Sequence, residues 1–171
     1  INVETTSPYL SITRDDLEGF LGKMEPPFRD QKDVDALWQG VKDKIIDSIG
    51  TDNVTINKKE KELDKGIWGA KPGYPALGTH LPVILNEGFI KRNIPIEKLI
   101  VPLTKKPAEI FNVYPQKGSL FPGSDADLIV VDMNESKNVK PEDLQSRSDF
   151  SLYEDQEIQG WPIMTIKNGQ I

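Results

Sequence analysis

Apolar residues at positions 34, 37, 38, 41 and 45 follow the i, i+3, i+4, i+7, i+11 spacing of one helical face. That period predicts an amphipathic helix over residues 31–46, with Asp30 placed to cap it. Ahead of it, residues 1–6 read as a strand. Behind it, Ile46-Asp-Ser-Ile-Gly-Thr-Asp52 reads as a buried strand ending in an acid. Strand, helix, strand in that order is the unit of a parallel sheet. The intervening residues 7–29 are irregular. A short helix is expected at 14–21, where Asp15 and Asp16 suit the positive end of a helix dipole, and a turn at Glu25-Pro-Pro-Phe-Arg29.

After Asp52 the periodicity lapses. Residues 53–75 form a long loop punctuated by Gly66, Gly69, Pro72 and Gly73, and loops of that length are usually functional or disordered. Helices are predicted at 76–87, with Leu77, Leu81, Ile84 and Leu85 on one face, at 97–103 and at 107–112. Beyond Tyr114 the pattern shifts to strands. Residues 117–120 and 127–131 read as a hairpin around Pro122-Gly123, followed by a polar stretch at 137–148. Strands at 157–160, 162–166 and 170–171 follow, the last pair turned by Asn168-Gly169. The shift at 112–115 divides a mixed α/β half, 1–112, from a β-rich half, 113–171.

Composition narrows the partners. A net charge of −6 argues against nucleic acid, which needs clustered Lys and Arg. The basic run Lys58-Lys59-Glu60-Lys61 is broken by an acid and is expected in a solvated loop. Without cysteine there is no disulfide framework and no thiolate zinc site, which is compatible with a cytoplasmic location. No apolar run approaches the roughly 20 residues that span a bilayer, so no membrane partner is expected. Ile1-Asn-Val-Glu-Thr-Thr does not look like a signal peptide and reads as mid-strand.

Several motifs carry a resemblance. Val3-Glu-Thr-Thr-Ser-Pro-Tyr-Leu10 is similar to ETCPQYL, Pro26-Pro-Phe-Arg29 to PPLR, and Gly50-Thr-Asp52 to GSDH. The run KPAEIFNVYPQKGSLFPGSDADLIVVD at 106–132 resembles a barrel-to-β-domain junction. The tail with Ser146-Arg-Ser-Asp149, Tyr153-Glu154 and Gly160-Trp-Pro162 resembles hydantoinase-type members. In order and spacing these resemble the C-terminal part of the cyclic amidohydrolases, the group of dihydropyrimidinases (hydantoinases), allantoinases and dihydroorotases. The fold so implied is α/β: the last two strand–helix units of a TIM-type (β/α)8 barrel at 1–112, then part of a small β-sandwich domain at 113–171.

The chemistry implied is hydrolysis of a cyclic amide or ureide C–N bond by water held between two zinc or related divalent ions. In that family the metals take histidines from strands one, five and six, a carboxylated lysine from strand four and the aspartate ending strand eight. Asp52 stands at that last place, as metal ligand and proton shuttle. Read without the resemblance, an acid after a strand is more often a turn or a cap. His80 is the single histidine and stands where the family usually has a basic residue; no HxH pair exists. The chain alone is therefore expected to be inactive. A second class is a non-catalytic assembly protein of this fold.

Substrate contacts map by resemblance onto Glu25, where the family has Ser, onto Asn53, where it often has His, and onto Pro72, where it has Asn. Glu25 also reads as an ordinary loop acid. Trp68 either covers a substrate or packs on its own loop. Trp38 is expected in the core, and Trp161 within the β-sandwich. The acids in Gly123-Ser-Asp-Ala-Asp127 read as a turn rather than a calcium site. Unpaired strand edges lead us to expect a homo-oligomer.

Overall fold

Strands β1 (Glu4–Thr6) and β2 (Ser48–Gly50) pair in parallel in the computed structural model, which describes residues 1–17 and 19–171. The helix between them, α1 (Gln31–Lys42), completes the predicted strand–helix–strand unit. It starts at a capping box in which the Asp30 N–H donates to Asp33 Oδ2 at 3.1 Å. It stops four residues earlier than its apolar period suggests. Lys44 takes φ +59°, a left-handed conformation that ends a helix, and Ile45 is left 63% exposed.

Val34, Trp38 and Val41 form the buried side of α1. They pack with Leu10, Ile49, Ile84 and Leu99. Trp38 is 1% exposed, and its indole N–H donates to the Leu10 carbonyl at 2.6 Å. Burying a side chain of this class is worth on the order of 2–3 kcal/mol, and the bond removes the polar penalty of the indole nitrogen.

The predicted helix at 14–21 is not found: residues 14–17 and 19–21 are turns and bends, and Glu18 lies outside the described residues. Asp16 explains the difference. Its carboxylate accepts the Thr13 N–H and the Thr13 hydroxyl, each at 2.6 Å, a local bond that competes with helix.

The long loop carries a 3-10 turn (Leu63–Lys65) and a single helical turn, α2 (Gly66–Gly69). The helix predicted at 76–87 runs on to Ile90 with three pitches. It opens as a 3-10 turn (Leu77–Thr79), tightens into α3 (His80–Ile84), and widens into a π-helical segment (Leu85–Ile90). The 3-10 start rotates Leu77 off the apolar face, and it is 69% exposed. Helices α4 (Ile96–Ile100) and α5 (Lys105–Ile110) follow.

Strands β3 (Leu128–Asn138) and β4 (Glu157–Ile166) form an antiparallel pair, Leu128 opposite Ile166 and Asn138 opposite Glu157. Each is longer than its pattern predicts, because register breaks at Val130/Val131 and Asp132/Ser136 scramble the alternation. Residues 117–120 are not a strand. They have no partner strand among the described residues, and ion pairs hold the segment instead. Lys117 bridges Asp125 at 2.7 Å and also Asp127, which takes Lys167 at 2.6 Å. The Asn168-Gly169 turn forms, with Lys167 and Gln170 paired across it. A second apolar cluster, including Phe28, Tyr74, Val83, Phe150, Tyr153 and Trp161, draws on both sides of residue 113. Trp161 is 9% exposed there, and among the described residues no helix is long and apolar enough to cross a membrane.

Candidate functional site

The carboxyl ends of β1 and β2 lie side by side, joined by the Ser7 N–H donating to the Gly50 carbonyl at 3.2 Å. Ligands in α/β folds bind at such ends, because the loops that follow the strands are free to vary there. The strand expected to end on Asp52 stops at Gly50, and Asp52 lies two residues beyond it and is exposed. Its φ of +47° is uncommon for a residue with a side chain, though Asp tolerates it better than most.

Two tyrosines stand near enough to feel that charge. The Tyr9 hydroxyl, which donates to the Pro26 carbonyl at 2.5 Å, has its pKa raised by burial and then by Asp52. Tyr74 is fully buried and its pKa is pushed up mainly by that burial, with Thr6 pulling the other way and Asp52 adding to the rise. The Thr6 and Tyr74 hydroxyls are neighbours, yet neither has a partner in hydrogen-bonding geometry among the described residues. Neither residue stands out in the sequence, because the juxtaposition exists only after folding.

His80 lies behind the strand ends. Its Nδ1 is 2.9 Å from the Ser7 hydroxyl, and α3 carries it there. Burial lowers its pKa and the Ile49 backbone carbonyl partly offsets this, so the neutral ring is favoured. The imidazole ties α3 to both strands. Among the described residues no three His, Asp or Glu side chains converge to hold a metal ion. Asp52 and one committed imidazole do not fit a two-metal centre on their own.

The remaining sequence-predicted residues fall in different places. Glu25 and Trp68 face one cleft of about 340 Å³, lined also by Lys23, Met24, Phe28 and Ile67. Trp68 is 95% exposed there. Asn53 acts as a cap: its Oδ1 accepts the N–H groups of Ala76 at 2.9 Å and Leu77 at 3.1 Å. It also borders a second cavity of about 400 Å³ with Leu77, Arg147 and Phe150. Pro72 is exposed, and neither it nor Asp52 lines either cavity.

Lys61 corrects the reading of its basic run. It is 0% exposed, where a solvated loop was expected. Its ammonium donates to the Gly73 carbonyl at 2.6 Å and the Lys23 carbonyl at 3.2 Å, with the Phe150 ring at 5.9 Å. Burial, and then the Lys23 charge, lowers its pKa to about 8. Nothing in a four-residue charged run marks one lysine for the interior.

The Amidohydrolase family model matches residues 28–171. The L-hydantoinase of Paenarthrobacter aurescens is 33% identical over 174 residues, which is 100% of this chain and 38% of that protein. The D-phenylhydantoinase of Escherichia coli O1:K1 / APEC is 30% identical over 173 residues, 98% of this chain and 38% of that one. Among solved structures, the D-hydantoinase (dihydropyrimidinase) of Thermus sp. superposes with a TM-score of 0.93 at 26% identity, covering 99% of this chain and 38% of its own. The L-hydantoinase (dihydropyrimidinase) of Arthrobacter aurescens gives 0.91 at 32%, with the same two coverages. The chain thus spans 38% of the length of the relatives it matches.

Proposed function

Because the chain belongs to the amidohydrolase family, we propose that it is the C-terminal portion of a metal-dependent hydrolase that opens the C–N bond of a cyclic amide or ureide. Residues 1–112 are the last two strand–helix units of its barrel, and 113–171 part of its small β domain. The observation that carries this reading is Asp52, an exposed carboxylate two residues past the carboxyl end of a strand paired in parallel.

Ring opening needs a water to lose a proton as it attacks the carbonyl carbon, and the ring nitrogen to gain one as it leaves. Asp52 takes the first proton and delivers the second, a role in which one positioned base is worth about 10²- to 10⁴-fold in rate. Glu25 and Trp68 face the substrate from their cleft, and Asn53 and Pro72 shape the loop that follows Asp52. The hydantoinases among the relatives suggest a hydantoin or dihydropyrimidine ring as substrate. Two divalent ions, zinc or similar, belong to the complete fold. Their ligands other than Asp52 lie outside this chain, so the 171 residues alone turn over nothing. The working form is a homo-oligomer.

Two measurements test the reading. The isolated chain should show no hydantoin or dihydrouracil hydrolysis. In the complete protein, Asp52→Asn should lower kcat by about 10²-fold or more. Unchanged turnover in that variant removes Asp52 from the chemistry. A complete protein with no turnover at all points to a non-catalytic assembly role instead.

A further inference from the structure

The wall that carries Trp68 and the wall that carries Glu25 are tied by bonds that two lysine ammoniums make to main-chain carbonyls. The Lys61 ammonium reaches the Lys23 carbonyl at 3.2 Å and the Gly73 carbonyl at 2.6 Å. The Lys23 ammonium returns to the Ala70 carbonyl at 2.6 Å. Two main-chain bonds run alongside: the Gly73 N–H to the Lys23 carbonyl at 3.2 Å, and the Lys71 N–H to the Lys61 carbonyl at 2.9 Å. The tie encloses α2, the single turn that presents Ile67 and Trp68. On the opposite side it grips the main chain two residues before Glu25.

Three features show that this is more than loop packing. Lys61 is wholly buried, and among the described residues its bonded partners are main-chain carbonyls rather than carboxylates. A charged amine is an expensive group to bury, and main-chain carbonyls are the partners that make it tolerable here. The turn it holds buries none of its own residues. Ile67 and Trp68 are 45% and 95% exposed, and a four-residue helical turn has no stability of its own.

We infer that the Lys61–Lys23 clasp sets the width of the cleft between Trp68 and Glu25, and that Lys61 is a positioning residue for the substrate that enters it. The inference rests on the reading of that cleft as substrate-facing. Lys61 touches no substrate itself; it acts through the α2 turn and the Lys23–Met24 main chain. The group so accommodated has a flat or apolar body, because Leu17, Met24, Phe28, Ile67 and Trp68 line the cleft, and it meets charge at Arg14, Lys23 and Glu25.

Hydrogen exchange on this chain reads the clasp without any substrate. In Lys61→Met the amides of residues 66–73 should exchange about tenfold faster than in the parent chain, because two carbonyls lose a charged donor. Amides of α1 and of the β3–β4 pair should not change. Lys59→Met, which removes an exposed neighbouring lysine, should leave all of them unchanged. If Lys61→Met does not fold, Lys23→Met takes its place, since it deletes only the bond to Ala70 and should loosen the same amides. Unchanged exchange at 66–73 in the folded variant overturns the clasp. In the complete protein, Lys61→Met should raise KM for the cyclic amide about tenfold with kcat within about twofold. A loosened loop with KM unmoved overturns the positioning role. If the unsubstituted protein hydrolyses no cyclic amide, the reading of the cleft fails while the exchange result stands.

Discussion

Lys61 carries its amine where water does not follow, and the consequence is a pH dependence of opposite sign to that of an ion-paired lysine. Its folded pKa is lowered to about 8 from an ordinary 10.5. Below pH 8 both folded and unfolded chains hold the proton and the term is constant. Between 8 and 10.5 the unfolded chain binds more protons than the folded one, so stability rises with pH. At 1.36 kcal/mol per unit, the rise from pH 8 to 9.5 is on the order of 1–2 kcal/mol. The buried tyrosines act in the other direction from about pH 10, which is why the window closes there. Urea unfolding of the parent chain and of Lys61→Met across that window is the check. If the two stability curves keep a constant separation, Lys61 is not the titrating group. Asp52 is the contrasting residue: the resemblance marks it from sequence, whereas Lys61 becomes visible only once Gly73 and Lys23 are seen to point their carbonyls at one spot.

Elements here depend on what lies across from them more than on their own propensity. Gly88, inside the π-helical segment, illustrates the balance. Replacing a helical glycine by alanine gains about 1 kcal/mol in an open helix. At this position a Cβ would meet Leu99 Cδ2 at 2.8 Å and Trp38 Cη2 at 2.9 Å, and both side chains are fully buried. Overpacking of that kind costs about 1–3 kcal/mol and outweighs the propensity gain. Gly88→Ala should therefore lower the unfolding midpoint, measured by urea or heat. Equal or greater stability would mean that Trp38 has room to move. The close approach of Trp38 and Leu99 asks for a residue without a side chain where the helix passes them. The strand predicted at 117–120 shows the converse. Its pattern is adequate, yet among the described residues no neighbouring strand offers a ladder, and the Lys117 ion pairs shape it instead.

Across the whole molecule, exposed apolar side chains include groups beside both strand pairs. Val3 and Ile45 are 42% and 63% exposed near the parallel pair, and Leu120, Phe121, Ile129 and Ile163 are 54–83% exposed around the antiparallel one. Each strand pairs on one side only among the described residues. Open edges beside apolar patches recruit other strands. The proposed self-association follows from this. Light scattering should give a mass above 19.2 kDa that grows with concentration. A fixed monomer mass over a wide range of concentration overturns it.

The sequence by itself determined the parallel strand–helix–strand unit, the turn at Asn168-Gly169, the burial of Trp38 and, through motif order, the family. Each of these is written in a local period, a turn dipeptide or a run of neighbours, and such signals survive without knowing the rest of the fold. Only the tertiary structure decided that Asp16 breaks a helix, that β3 and β4 run long through register breaks, and that Lys61 is inside. It also separated Asn53 from the cleft shared by Glu25 and Trp68, and set two buried hydroxyls, Thr6 and Tyr74, together near Asp52. These depend on groups far apart in the chain meeting across packed surfaces, and no local pattern of polarity encodes which carbonyl will face which amine.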